Sequence, residues 1–370
     1  MLKIGIVGLP NVGKSTLFKA LTKKIVDISN YPFCTIDPNV GVVKVPDQRL
    51  EKLSQAFKSK KTIPAIVEFY DIAGLVKNAS KGEGLGNAFL SHIRNVDAIC
   101  EVVRLFKKDD IIHVEGALNP KRDMGIIHTE LILSDLEVVE KALKKAYSEA
   151  KSGKKEIIAR SLILEKIKKI LESEQLVSSI NWTEEETLLI KELSLLSSKP
   201  FLIVLNVDEK DVTSGFFQKT KTENEEFIRL QFPNLKQFGI VSVAIKLEAE
   251  LADLSEEEML SYKRELDISD QYDGLNELIK NAYKTLDLIT FFTTGEDESR
   301  AWTTKRTSTA PEAGREIHSD FEEKFIRAEV IQWDKLLESK NWSKSKESGL
   351  LRTVGKDYVI KDGDVIEFKI

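Results

Sequence analysis

Cysteine is scarce in this chain: Cys34 and Cys100 are the only two in 370 residues. Two thiols make no disulfide framework, so a reduced, cytoplasmic setting is the expectation. No apolar run is long enough to span a bilayer, which leaves no candidate membrane helix and no membrane partner. Positive charge is not in excess either. Lys and Arg number 55 against 60 Asp and Glu, a net charge of −5. That excludes a globally basic nucleic-acid binder, though not a local basic face. No secretory leader is expected, because the first apolar stretch runs directly into a glycine-rich loop that cleavage would destroy. What is present is 42% hydrophobic and 31% charged residues, in a chain long enough for two or three domains with their own cores.

The glycine-rich loop is Gly8-Leu9-Pro10-Asn11-Val12-Gly13-Lys14-Ser15-Thr16, of the form G-x-x-x-x-G-K-[ST]. The apolar run before it, Ile4 to Val7, reads as a buried strand. After it, Leu17, Phe18 and Leu21 mark one face of a helix. Strand, glycine loop and helix together make a phosphate cradle. Backbone N–H groups curl around an anion, and the helix N-terminus adds positive potential. Asn11, Val12, Gly13, Lys14, Ser15 and Thr16 are therefore candidate nucleotide contacts. Lys14 is placed to reach the β- and γ-phosphates and counts as catalytic, and Ser15 is placed to ligate Mg²⁺.

Asp71-Ile72-Ala73-Gly74 follows a second predicted strand and has the form D-x-x-G. In switch NTPases the aspartate orients a Mg²⁺-bound water and the glycine N–H meets the γ-phosphate. Thr35, in the loop between the first helix and the next strand, is the third candidate metal ligand with Ser15 and Asp71. The residue after Gly74 is Leu75, where many GTPases place a glutamine that positions the attacking water. A leucine has no donor or acceptor. Hydrolysis is then either intrinsically very slow or helped by another group, with His92, His113 and His128 as candidates in this part of the chain.

The guanine-reading sequence N-K-x-D is also missing. Its place is taken by Asn206-Val207-Asp208-Glu209 after an apolar strand. Val207 replaces the lysine that lies along the base. Glu209, one methylene longer, replaces the aspartate that accepts from guanine N1–H and N2–H₂. Loss of such a bidentate pair removes about 1–3 kcal/mol of base discrimination, so ATP is favoured over GTP.

Alternating strand and helix patterns to about Asp123 read as a parallel α/β sheet, with strands at Lys3–Gly8, Ile66–Asp71 and Ala98–Arg104. Ile132, Leu136, Val139, Leu143 and Ala146 then recur at heptad-like spacing, and Ile157, Leu164, Ile167 and Leu171 resume it after Ser152-Gly153. This predicts an antiparallel helical hairpin. Its tip carries Lys151, Lys154 and Lys155, with Lys141, Lys144 and Lys145 on the arm. Those lysines suit either rRNA phosphates or a solvated face of mixed charge. Thr183 with Glu186 forms a capping-box start for another helix. Apolar strands return at Lys199–Leu205 and Gly239–Ala244, with a helix from Gly274 to Leu286. At the C-terminus, Gly355–Ile360 and Asp364–Phe368 read as strands around a turn. The expected domains are a nucleotide-binding part over 1–126, a helical coiled-coil insertion over 127–198, the rest of the nucleotide domain over 199–287, and a small α+β domain over 288–370.

With these residues in view the chain resembles the YchF-type, or Obg-like, ATPases. The resemblance is carried by Tyr31 to Gly41, by the glycine-rich block from Asp71 to Asn87, and by Val102-Val103-Arg104 with His113-Val114-Glu115-Gly116. It continues in Asn206 to Glu209, in Gly314 to Phe321, and in Gly355-Lys356-Asp357-Tyr358. It implies a P-loop NTPase sheet with an inserted coiled-coil arm and a C-terminal TGS domain of β-grasp fold. It also implies Mg²⁺-dependent ATP binding and slow hydrolysis, a ribosomal partner, a role in translation or stress responses, and His113 as the residue that aids hydrolysis. Gly74, Asn206, Val207, Glu209, Ala244 and Ile245 join the loop residues as nucleotide contacts. The chain departs from the family pattern at Glu101, where a histidine is expected, and at Ala244-Ile245-Lys246, a loose form of the S-A-K loop that braces the base. An Obg-type GTPase, and a nucleotide-gated ribosome- or RNA-binding module with negligible turnover, are the alternatives.

Overall fold

The structure, a computed structural model, describes residues 2–23, 37, 39–72, 87–106, 118–150, 154–233, 238–339 and 341–370. In chain order the strands begin with β1 (Lys3–Val7), β2 (Val40–Lys44), β3 (Lys61–Ile63), β4 (Ile66–Asp71), β5 (Ala98–Arg104) and β6 (Phe201–Asn206). They continue with β7 (Gly239–Val243), β8 (Leu288–Thr294), β9 (Glu298–Lys305), β10 (Arg327–Gln332), β11 (Arg352–Val354) and β12 (Asp364–Lys369). Helix α1 (Lys14–Thr22) follows β1, and helix α2 (Gln48–Phe57) follows β2.

Six strands form the first sheet, in the order β2-β4-β1-β5-β6-β7. β1 runs parallel to both β4 and β5, β5 to β6, and β6 to β7. β5 and β6 are buried along their whole length. That is why their sequences are continuous apolar runs rather than alternating ones. β1 lies inside the sheet between β4 and β5, so the loop that leaves it opens at the C-terminal edge of the parallel strands, where α/β folds bind ligands.

Between β5 and β6 the chain leaves the sheet as two long helices, Pro120–Ala150 and Lys155–Glu172. The heptad-like positions face inward: Ile132, Val139, Leu143 and Ala146 are buried on the first helix, and Leu164, Ile167 and Leu171 on the second. The expected tip, with Lys151, Ser152 and Gly153, lies outside the described residues. The first helix starts seven residues before the expected domain boundary, because Pro120 supplies a favourable first helical turn. The capping box forms as expected: Glu186 N–H donates to Thr183 Oγ1 at 3.3 Å and Thr183 N–H to Glu186 Oε2 at 2.9 Å.

The second sheet has the order β11-β10-β12-β8-β9-β3. One face packs on a core of Ile289, Phe291, Ala310, Ala313, Phe325, Ala328, Val330, Ile360 and Ile366. The expected strand over Gly355–Ile360 is not one. The strand lies earlier, at β11, and Lys356-Asp357 turn the chain. Only Val359 makes a bridge, to Thr309. The alternation that suggested a strand arises because Ile360 sits in the core while the Tyr358 hydroxyl donates to Asp364 Oδ2 at 2.8 Å.

Two compact units result. Glu68–Asn281 forms one of them with β1 and α1. Val42–Val67 and Ala282–Ile370 form the other. Residues 42–67, placed by sequence within the nucleotide domain, thus build part of the C-terminal unit. β3 pairs parallel with β9 there, matching Lys61 with Glu298 and Ile63 with Arg300.

Candidate nucleotide site

The loop after β1 is held open by backbone geometry. Asn11 and Gly13 both have positive φ, at 61° and 107°. At Gly13 no other residue fits, since a Cβ would lie 2.6 Å from Asn206 Nδ2. Lys14 Nζ donates to the Leu9 carbonyl at 2.6 Å, so the ammonium folds back over the loop in which phosphate oxygens would compete for it. α1 starts without a side-chain cap and without an acidic residue in its first turn. Ser15 and Thr16 are exposed there, and Asn11 is exposed at the loop crest. A helix N-terminus with its dipole and no acidic residue in its first turn makes an anion site.

Asn206 ties this cradle to two other loops. Its Nδ2 donates to the Val12 carbonyl at 2.9 Å, and its Oδ1 accepts from Ile245 N–H at 3.2 Å. Asn206 ends β6 and pairs in register with Val243, so the loops after β6 and β7 start at the same level. Val207 N–H then donates to the Val243 carbonyl at 3.1 Å. Glu209 is half-buried and opens a short 3-10 turn to Val212, capped by the Asp208–Asp211 pair. The residues singled out from Asn11 to Thr16, with Asn206, Val207, Ala244 and Ile245, are therefore brought together by hydrogen bonds and register.

Asp71 ends β4, is buried, and pairs in register with Ile6, two residues before Gly8. That sets Asp71 at the level of the strand end from which the loop leaves. Ser15 and Asp71 offer hydroxyl and carboxylate oxygens of the kind Mg²⁺ takes. Thr35, Gly74, Leu75 and His113 lie outside the described residues, as does Cys34.

His128 has another task. Its Nε2 is 2.9 Å from Glu101 Oε2, both groups are buried, and its ring meets Phe201 and Phe232 edge-on. This accounts for the departure at Glu101: the carboxylate holds a histidine of the first arm helix. His128 is thereby removed from the candidates for aligning water.

Sequence reasoning missed Tyr272, Glu248 and Gly274, which pack under the Ala244 loop. The Tyr272 hydroxyl accepts from Ala244 N–H at 3.0 Å. No motif announces that contact, because its partner is a backbone amide.

A phosphate cradle at a helix N-terminus, braced from the loop that would read a base, defines the class: this is a P-loop nucleoside triphosphatase fold. Comparison with known proteins narrows it. Residues 3–133 match a family described as "50S ribosome-binding GTPase". Residues 288–370 match YchF-GTPase_C, described as "Protein of unknown function (DUF933)". The chain is 50% identical over 368 residues to the "Ribosome-binding ATPase YchF" of Bacillus subtilis (strain 168), covering 100% of this chain and 99% of that one. It is 45% identical over 366 residues to the protein of the same name from Escherichia coli O157:H7, covering 99% and 98%. The structure of the Schizosaccharomyces pombe YchF GTPase superposes with a TM-score of 0.87 at 38% identity, over 100% of this chain and 97% of that one. The chain belongs to the YchF family.

Proposed function

We propose that this protein is a Mg²⁺-dependent ATPase switch that associates with the ribosome. Its relatives from Bacillus subtilis and Escherichia coli are named for both properties. The observation that carries the nucleotide reading is Asn206, which joins the phosphate loop to the base loops with one side chain. ATP is the favoured nucleotide because Val207 and Glu209 stand where lysine and aspartate read guanine. The names "YchF GTPase" and "50S ribosome-binding GTPase" keep GTP as the competing reading.

In this reading Ser15, Asp71 and Thr35 would hold Mg²⁺, which would supply charge neutralisation to the triphosphate. The loop amides from Asn11 to Thr16 and Gly74 orient the triphosphate, and Lys14 moves from the Leu9 carbonyl to it. Leu75 cannot align water, so His113 carries that role and turnover is slow. ATP then sets a conformation and hydrolysis resets it. The exposed Lys141, Lys144, Lys145, Lys154 and Lys155 of the arm, with Lys151, are the proposed contacts with rRNA phosphates. Some arm charge is internally matched, as in Lys168 with Glu140 at 2.9 Å. No described helix is long and apolar enough to cross a membrane, and a cytoplasmic setting follows from the ribosomal partner. The nucleotide domain is built on the first sheet around the arm, and residues 288–370 carry the TGS-like fold together with 42–67 and 282–287.

Phosphate release from ATP and from GTP, with Mg²⁺ and with or without purified ribosomes, tests this. ATP turnover of about 10⁻⁴ to 10⁻² s⁻¹ that rises with ribosomes is expected. A basal rate above about 1 s⁻¹ would sink the switch reading, and faster turnover of GTP would move the protein to the GTPase alternative.

A further inference from the structure

Two consecutive backbone amides follow β7, that of Ala244 and that of Ile245, which opens a helix over Ile245–Leu251, and both are already taken. Ile245 N–H donates to Asn206 Oδ1 at 3.2 Å. Ala244 N–H donates to the Tyr272 hydroxyl at 3.0 Å. The hydroxyl in turn is hydrogen-bonded to the Glu248 carboxylate. Tyr272 is only 2% exposed, and its ring stands edge-on to Phe217 with centroids 5.5 Å apart. The arrangement is tight enough to exclude a side chain at residue 274: a Cβ on Gly274 would lie 2.4 Å from Tyr272 Oη and 2.5 Å from Glu248 Oε1. Burial and the Glu248 charge hold the hydroxyl well above the usual tyrosine range, so it stays protonated and keeps its donor for Glu248.

We infer that Tyr272 is a positioning residue that sets base selectivity by denying a donor to guanine. This rests on the reading that Asn206 to Glu209 and Ala244-Ile245 face the base. Guanine presents an acceptor, O6, where adenine presents the N6–H donor. A loop amide is the natural partner for O6. Here Tyr272 and Asn206 occupy both amides, so O6 enters without a hydrogen bond and pays its desolvation unreturned. Adenine has no acceptor at that position and loses nothing. The selectivity is therefore against the wrong base as much as for the right one. It adds to the effect of Glu209, which acts on the neighbouring N1–H and on N2–H₂.

Nucleotide and variant together separate the two effects. Inosine triphosphate lacks the N2 amine but keeps both O6 and N1–H, and purine riboside triphosphate lacks any group at the six position, so a deficit of inosine triphosphate belongs to O6 only to the extent that Tyr272→Phe narrows it. Calorimetry on the full chain with Mg²⁺ should place inosine triphosphate about fivefold or more below both ATP and purine riboside triphosphate. Tyr272→Phe keeps the ring and frees the Ala244 amide. It should narrow the ATP-over-GTP preference by about fivefold with ATP affinity retained. Glu248→Gln still accepts from the tyrosine and should leave the ratio unchanged. Inosine triphosphate binding as tightly as ATP to the wild-type chain would overturn the inference, and so would an unchanged ratio in folded Tyr272→Phe. Failure of the wild-type chain to bind ATP at all would be a different result, and would overturn the nucleotide reading along with it.

Discussion

Asn206 concentrates the architecture of the site in one amide group. It was legible because an asparagine ends an apolar strand and begins N-x-x-E, and an amide is the side chain that can donate and accept at once. Both of its partners are backbone atoms, the Val12 carbonyl and the Ile245 N–H. Asn206→Ala leaves both unpaired in a buried place. A loss of about 2 kcal/mol in unfolding free energy is expected, with weaker binding of nucleoside triphosphates of either base. Denaturant unfolding and calorimetry read the two effects, and unchanged affinity for both nucleotides would remove Asn206 from the site. Leu9 and Tyr272 were not legible for the opposite reason. Leu9 contributes only its carbonyl oxygen, to Lys14, and any residue has one. Tyr272 reaches an amide 28 positions away, and a lone tyrosine in a polar stretch carries no sign of that.

At the level of elements, periodicity served well where burial is one-sided or complete. β4 and β5 span the residues expected, and the arm buries seven of its nine heptad-like positions, with Leu136 and Ile157 half-buried. It failed where polar atoms do the anchoring. Asp135 lies among the apolar positions of the first arm helix and is fully buried. Its carboxylate accepts from Leu196 N–H and Ser197 N–H, each at 2.8 Å, and from the Ser197 hydroxyl at 2.6 Å. One side chain thus caps the turn that returns the chain to β6, a contact 61 residues apart in sequence. Nothing in a heptad pattern distinguishes such an aspartate from a solvated one. Asp135→Ala strands three donors, and a destabilisation of about 3 kcal/mol is expected. Leu162→Ala, at a position 60% exposed on the second arm helix, should cost less than about 0.5 kcal/mol. Equal unfolding midpoints for the two variants would contradict the anchoring role of Asp135.

The whole chain is divided differently from how its sequence reads. Residues 42–67, which run from within β2 into the start of β4, group with the second unit, and β4 goes on to end at Asp71. β3 is three residues long and pairs with a strand more than 200 positions later, so no local pattern could reveal it. Inside the second unit the segment is firmly held. Arg49 donates to both oxygens of Asp47 and, through Nη1 at 2.7 Å, to Asp362, which also accepts from Thr290 N–H at 2.9 Å. Its guanidinium lies over the Phe292 ring, 5.2 Å from the centroid. Ser59 Oγ donates to the Gly295 carbonyl at 2.6 Å, and Leu50 and Leu53 of α2 are buried. The residues from 288 onward therefore lack one edge strand and the cover over Phe292 when taken alone. Exposing a buried phenylalanine costs about 1.5–3 kcal/mol, a large share of what a domain of this size has to lose. A fragment of residues 288–370 is expected to melt broadly and at low temperature by circular dichroism, while the full chain unfolds cooperatively. Arg49→Ala in the full chain should lower the midpoint of the second unit, because it leaves Asp47 and Asp362 without their shared cation. A sharp, high-temperature transition in the isolated fragment would show that residues 42–67 are a passenger on that sheet rather than part of it.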